Sequence, residues 1–225
     1  MNVSVVLPSF NRARLLPITI PTYFQEDVSE VILVDDCSSD NTAEVVKELQ
    51  TRFPTLRYFR NEVNSKQPYT QNVAISKVQS EYIYFGDDDS VLYPGSIRNL
   101  LNVMREKNAD IVGGRALALF FPEQIDELDE FLSHYRNRIA TEANQIVDLS
   151  TLSTNFTYTV KEPIRVPFCH ASCLCKTQVA REMQFDVKIE GNAYREETDF
   201  LIRATLAGYT IYYTSSANQI NLPSA

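Results

Sequence analysis

Val31-Ile32-Leu33-Val34-Asp35-Asp36-Cys37-Ser38-Ser39-Asp40-Asn41-Thr42 sets four consecutive apolar residues against two acids, a cysteine and then five small polar residues. The continuous apolar run reads as a strand buried on both faces, since a strand with one wet face would alternate. The polar group offers side-chain oxygens to the free N–H groups of a helix start, and in Ala43 to Phe53 the residues Val45, Val46 and Leu49 form a helical stripe. Strand, acidic turn and helix in this order are the repeating unit of a parallel sheet covered by helices.

The same alternation extends on both sides. Val3 to Leu7, ended by Pro8, predicts a first buried strand, and Leu15 to Gln25 predicts a short or broken helix, with Pro17 near its start and Pro21 interrupting it. Leu56 to Phe59 predicts a third strand, Gln71 to Val78 a short amphipathic helix, Tyr82 to Phe85 a fourth strand and Ser96 to Lys107 a helix. Beyond it, Ile111 to Phe121 is expected as strand, Glu123 to Ile139 as a charged helix, and Ala140 to Arg165 as a long polar loop shaping a pocket. Arg195 to Ala207, after the polar Gly191-Asn192, returns to helical spacing, and Ile211 to Tyr213 predicts a final strand. The expected fold class is α/β: a mostly parallel, Rossmann-like sheet flanked by helices in one domain over residues 1–225.

Composition narrows the function. A chain of 225 residues with 44% hydrophobic content buries one sizeable core. The net charge of -8 disfavours nucleic acid as a partner. No apolar run approaches the roughly 20 residues of a membrane helix, and Met1-Asn2-Val3-Ser4 lacks signal-peptide character, so the expected compartment is cytoplasmic. Cys37, Cys169, Cys173 and Cys175 then read as reduced thiols; Cys169-His170-x-x-Cys173-x-Cys175 lies in one short apolar stretch, unlike zinc sites built from two separate segments.

In doubly wound sheets ligands bind beyond the carboxyl ends of the strands. There this sequence places Pro8-Ser9-Phe10-Asn11-Arg12, Asp35-Asp36 and Asp87-Asp88-Asp89. Three adjacent carboxylates repel one another unless a cation or solvent compensates, and hard oxygen ligands suit Mg2+ or Mn2+. Glycine-rich phosphate loops are absent, so a bound diphosphate would be neutralised mainly by metal. Glu196-Glu197-x-Asp199 opens the later helix, where acids are favoured by the helix dipole and where one can also serve as a general base.

Taken together and in order, these motifs resemble glycosyltransferase family 2, whose members have the GT-A fold. Val5 to Arg12 is similar to the family's opening strand and nucleotide loop, Val31 to Thr42 to its nucleoside signature, Tyr82 to Asp89 to its Asp-x-Asp element, and Glu196 to Arg203 to its base motif. The resemblance spans residues 3–213. It implies a nucleotide-binding half, residues 1–110, and an acceptor half, residues 111–225. It implies Asp36 on the base of the nucleotide with Asp35 beside it, Phe10 against the ring, and Pro8, Asn11 and Arg12 in the same loop. Asp88 would contact ribose and Asp89 the metal, with Asp87 supporting both. Glu197 aligns with the catalytic base and Glu196 is the close alternative.

The implied function is inverting transfer of a sugar from a nucleoside diphosphate, uridine first and thymidine sharing its edge, to a hydroxyl of a glycan or lipid-linked acceptor. That acceptor class is compatible with a peripheral position at a membrane. Departures from the family pattern are Ser65-Lys66-Gln67 and Gln71-Asn72 where many members have Gly and an Arg-Asn pair, Asn221 where a metal-ligating His is common, and the absence of the usual glycines from Cys169 to Cys175. A nucleotidyltransferase is an alternative, although it would normally want a glycine in Pro8 to Arg14, and a non-catalytic nucleotide-sugar-binding module is another.

Overall fold

The structure, a computed structural model, describes residues 3–120, 124–151, 153–189 and 195–223 in full and only the backbone at 122 and 123. Phe121 and the polar lead-in at Gly191-Asn192 therefore lie outside the described residues.

Helices alternate with strands through the first half: β1 (Val3–Ser9), α1 (Leu16–Tyr23), β2 (Val28–Asp35), α2 (Thr42–Arg52), β3 (Leu56–Arg60), α3 (Lys66–Lys77), β4 (Tyr82–Phe85), β5 (Ser90–Leu92) and α4 (Ser96–Glu106). The second half holds β6 (Ile111–Ala118), a 3-10 turn at Pro122–Glu127, α5 (Leu128–Ser133), α6 (Ala143–Ile146), β7 (Val147–Asp148), β8 (Ser153–Thr154), β9 (Ile164–Arg165), β10 (Cys173–Lys176), α7 (Thr177–Met183), α8 (Glu196–Leu206) and β11 (Ile211–Asn221). Among the described residues the main sheet has nine strands in the order β3-β2-β1-β4-β10-β6-β11-β5, with β9 also paired to β11. Pairing is parallel from β3 through β4, whereas β10 runs antiparallel to both β4 and β6. The acidic ends of β2 and β4 thus emerge on the same edge as the end of β1.

The continuous apolar runs have the predicted cause. Along β2, Ile32 and Val34 enter one core with Ala74 and Ile75 of α3 and Phe200, Leu201 and Ala204 of α8. Val31 and Leu33 enter the opposite core with Leu16, Ile20 and Tyr23 of α1 and Leu100 and Leu101 of α4. A strand covered on both faces has no polar face to alternate.

Four expectations change. Helix α3 begins at Lys66, five residues before Gln71, because Asp36 accepts hydrogen bonds from the backbone N–H groups of Ser65 and Lys66, both at 2.8 Å. That cap comes from a distant strand end and leaves no local signature. The charged helix expected over Glu123 to Ile139 contracts to a 3-10 turn and the six-residue α5, in which Phe131 and Leu132 alone are buried. The stretch from Ala140 to Arg165 is no bare loop: it adds Ile146, Val147 and Val160 to the core and carries a small hairpin, β7 with β8. The last strand runs to Asn221 rather than Tyr213, since its buried polar side chains find partners across the sheet: Gln219 accepts from the Tyr84 hydroxyl at 2.9 Å and Asn218 from Arg115 Nε at 2.7 Å.

Gly86, between β4 and the acidic triplet, is held by close packing. A Cβ there would lie 2.7 Å from Leu7 Cδ2 and 2.9 Å from Tyr23 Cε1. Gly86→Ala is expected to destabilise the protein by about 1–3 kcal/mol through this overlap, read from the urea midpoint; an unchanged midpoint would show that the turn can relax freely.

Candidate active site

The triplet Asp87-Asp88-Asp89 is fixed through its backbone. Tyr23 donates its hydroxyl to the Asp87 carbonyl at 2.8 Å and accepts the Asp87 N–H at 3.1 Å, Thr19 Oγ1 donates to the Asp88 carbonyl at 3.2 Å, and Leu222 N–H donates to the Asp89 carbonyl at 2.8 Å. Helix α1 and the end of β11 therefore clamp the turn, leaving the three carboxylates to face different neighbours. Asp87 Oδ2 accepts from Ser172 Oγ at 2.9 Å and Gln219 Nε2 at 2.7 Å. Asp88 and Asp89 share Arg12, whose Nε lies 3.5 Å from Asp88 Oδ1 and whose Nη2 lies 3.7 Å from Asp89 Oδ2. Burial first, then the charge of Asp89, pushes Asp88 up to about 7 against the opposing pull of Ser9 and Arg12. Asp89 is also raised, by burial and then by Asp87.

Beside the triplet lies a 280 Å³ hollow walled by Pro8, Phe10, Arg12, Asp36, Lys66 and Asp88. Of the ten residues that line it, Pro8, Phe10, Arg12, Asp36 and Asp88 are expected site residues from the sequence. Phe10 is 45% exposed, so its ring is not part of the core. Asp36 Oδ1 accepts from Asn61 Nδ2 and Ser65 N–H, and Oδ2 from Lys66 N–H. With roughly four lone-pair sites on a carboxylate, one acceptor position of Asp36 is without a partner among the described residues.

Asp35 and Asn11 are placed off that wall. Asp35, fully buried, accepts from Ser38 N–H, Tyr58 Oη and Arg60 Nη1. Asn11 Oδ1 accepts from the N–H groups of Ser39 and Asp40, tying the loop after β1 to the loop after β2. Asn11, Cys37, Lys66 and Arg195 all take left-handed backbone angles, with φ of 55°, 64°, 71° and 65°. Such conformations are uncommon outside glycine and cluster where loops are held for function.

Glu196 and Glu197 open α8, whose inner face is anchored by Phe200, Leu201 and Ala204. Glu196 is buried, and burial followed by the charge of Glu197 pushes its carboxyl up to about 8; Glu197 is only half-buried. Since folding raises this acid's pKa above the ordinary 4.5, its stabilising contribution is complete below that value and is lost as pH rises through about 8. Asp88 acts in the same direction. Glu196→Gln is therefore expected to shrink the fall in urea stability between pH 5 and pH 8; the same pH slope in the variant would refute the assignment.

The sequence reading missed several members of the site. Ser172 and Gln219 hold Asp87, Tyr23 and Thr19 hold its turn, and His170 lies where Asp87 and Glu197 both act on its ring. All are distant from the triplet in sequence, and only His170 is a named member of a cluster the sequence singles out, Cys169-His170-x-x-Cys173-x-Cys175. Conversely, Asn72 faces away, exchanging two hydrogen bonds with the backbone of Phe185 at 2.9 and 2.8 Å. A larger and more apolar hollow of 580 Å³ lies between α1, β5 and the start of α4, and it contains none of the expected site residues.

The sequence profile described as "Glycosyl transferase family 2" matches residues 4–173. A GalNAc(5)-diNAcBac-PP-undecaprenol beta-1,3-glucosyltransferase of Campylobacter jejuni is 33% identical over 114 residues, 49% of this chain and 37% of that one. The poly(ribitol-phosphate) beta-N-acetylglucosaminyltransferase TarP of Staphylococcus aureus is 32% identical over 121 residues, 50% of this chain and 36% of that one. Among solved structures, S. aureus TarS 1-349 in complex with UDP-GlcNAc aligns with a TM-score of 0.71 at 16% identity, covering 100% of this chain and 59% of that one. The mannosyltransferase PcManGT of Pyrobaculum calidifontis, in complex with GDP-Man and Mn2+, aligns at 0.65 and 17% identity, covering 97% of this chain and 56% of that one. At such identities the structural likeness speaks to the fold alone: the sheet and its flanking helices are those of the GT-A glycosyltransferases. The alignments span little more than a third of these curated relatives.

Proposed function

The chain belongs to glycosyl transferase family 2, and from that premise we propose that it is an inverting, metal-dependent glycosyltransferase acting on a uridine diphosphate sugar. The observation that carries this reading is the convergence of two separately positioned groups on one edge of the sheet. One is the hollow between Phe10, Asp36 and Asp88, and the other is the acidic start of α8 with Glu197, where the charge of Asp87, from the triplet beside the hollow, acts on Glu196. Residues 1–110 supply the nucleotide side and residues 111–225 the acceptor side of one domain.

Uracil presents a ring N–H, and the open acceptor position on Asp36 suits it, with Phe10 available to stack on the ring. Asp88 faces the ribose, while Arg12 and Lys66 bring positive charge to the same hollow. The donor set at Asp89 fits Mn2+ or Mg2+: its carboxylate is 37% exposed, and Ser90 Oγ lies within 3.3 Å of Asp89 Oδ1 and 3.2 Å of Asn221 Oδ1. No group of three His, Cys, Asp or Glu side chains converges among the described residues. An ion here would be held by one or two carboxylates and completed by phosphate oxygens and water. When bound, it would offset the charge of the diphosphate leaving group.

This chain's own residues supply the rest. Glu197 takes the proton of the acceptor hydroxyl as that oxygen bonds to the anomeric carbon, and the bond from that carbon to the diphosphate oxygen breaks on the opposite face, so one displacement inverts the centre. The acceptor class is a glycan or lipid-linked hydroxyl. No helix among the described residues is long and apolar enough to cross a membrane, and a peripheral position there accommodates a lipid-linked acceptor.

Titration calorimetry with UDP, TDP and GDP in Mn2+ tests the donor. UDP is expected to bind at least about tenfold more tightly than GDP, a difference of about 1.4 kcal/mol; tighter binding of GDP would overturn the uridine assignment.

A further inference from the structure

His170 is not used by the mechanism above. It precedes β10 and lines a 420 Å³ groove, separate from the nucleotide hollow, whose wall also includes Phe156 and Asn221. Asn221 joins this groove to the donor side, because its Oδ1 and Asp89 Oδ1 lie within hydrogen-bond distance of the same Ser90 hydroxyl. The charges of Asp87 and Glu197 act on the imidazole from two other parts of the chain, while burial lowers its pKa.

The geometry fixes which nitrogen carries the proton. The backbone N–H of Ser172 lies 3.2 Å from His170 Nδ1, and an amide N–H can only donate, so Nδ1 is the acceptor and Nε2 bears the hydrogen. The ring packs edge-on against Phe156 at 5.9 Å. Phe156 is itself fixed by its carbonyl, which accepts from Ala116 N–H at 3.0 Å and from the Tyr213 hydroxyl at 3.1 Å. Among the described residues Nε2–H has no protein acceptor. It is an unused donor on a residue that lines the groove and lies within electrostatic reach of the proposed base.

The geometry points to His170 as an acceptor-binding residue: its Nε2–H donates to an oxygen of a sugar or polyol lying in this groove and holds the attacking hydroxyl against Glu197. This rests on the glycosyltransferase reading and adds to it the residue that orients the acceptor. Glu197 still removes the proton; His170 transfers none.

The chain has two histidines, so His134 is an internal reference for imidazole 15N NMR. In the full chain with UDP and Mn2+, His170 is expected to show the neutral Nε2–H tautomer. A panel of methyl glycosides and ribitol should shift its Nε2 signal and leave His134 unmoved. His170→Phe, which keeps bulk but removes the donor, should raise KM for the best acceptor of that panel at least about tenfold. KM for the UDP-sugar should stay within about twofold, and His170→Gln, which restores an N–H at a similar reach, should recover most of the loss.

An Nδ1–H tautomer overturns the inference. So does a His170 signal that no probe moves in a protein that binds UDP, or an equal loss of donor and acceptor affinity in His170→Phe. If UDP fails to bind while the polyols still shift His170, the donor reading falls and the groove assignment stands.

Discussion

Glu197→Gln is expected to lower turnover by at least about a hundredfold while leaving UDP-sugar affinity nearly unchanged. Glutamine keeps the length and hydrogen-bonding shape of the side chain and removes only its capacity to take a proton. Position 197 is suited to this test because the helix does not depend on it. Phe200, Leu201 and Ala204 bury the inner face of α8, and Arg203 ties it down through Asp199 at 2.8 Å and the carbonyls of Met183 and Gln184, both at 2.7 Å.

Were Glu197 only a favourable charge at a helix N-terminus, its loss would cost about 0.3–1 kcal/mol of stability with normal turnover. Steady-state kinetics with a stability measurement on the same variant separates the two. Glu196→Gln is the control, since a buried carboxyl raised to about 8 is largely protonated at neutral pH and poorly suited to accept a proton. A large loss in Glu196→Gln with a small one in Glu197→Gln would move the base by one residue. Normal turnover in both would leave a module that binds nucleotide sugar without transferring it.

The second large effect is expected at Asp89. Asp89→Ala should bring the UDP dissociation constant in Mn2+ to the value measured in chelator, a loss of tenfold or more, or at least about 1.4 kcal/mol. The neighbouring carboxylates cannot substitute easily. Asp87 Oδ2 is bonded to Ser172 and Gln219, and Asp88 is more deeply buried, its side chain 13% exposed against 37% for Asp89. The substitution also removes one of the two carboxylates that share Arg12, leaving that guanidinium closer to a single partner. Calorimetry with Mn2+ and with chelator, on both proteins, provides the comparison. A variant that retains the wild-type gain from Mn2+ would place the ion elsewhere.

Much of this was legible along the chain, because strand and helix signals are local. Val31 to Val34 is buried on both faces and contains no polar residue. Ser38 to Thr42 and the stripe in Ala43 to Phe53 mark a helix start. An acid run directly after such a strand therefore had to fall at the carboxyl edge of the sheet, the edge that binds ligands. The expected nucleotide loop, the Asp triplet and the Glu pair were found on this principle and through the family resemblance.

The order of elements, the α/β class and the acids at the strand ends are all properties of residues within about one turn or one strand of each other. Tertiary structure alone decided how those acids divide their work, because hydrogen bonds and desolvation depend on neighbours distant in the chain. Asp35 and Asp36 are adjacent, yet Tyr58 and Arg60 enclose the first while the second caps α3 and still opens on the hollow. Glu196 and Glu197 are likewise adjacent, yet the turn of one helix buries one and leaves the other accessible. Gln219 reaches Asp87 from 132 residues away, through a strand that its polar composition concealed. His170, an apparent member of a cysteine cluster in the sequence, meets Asp87 and Glu197 only because β10 inserts antiparallel between β4 and β6. Local pattern fixes which faces are buried, but only the closed sheet fixes which polar groups share a dry space, and that sharing sets charge and hydrogen bonding.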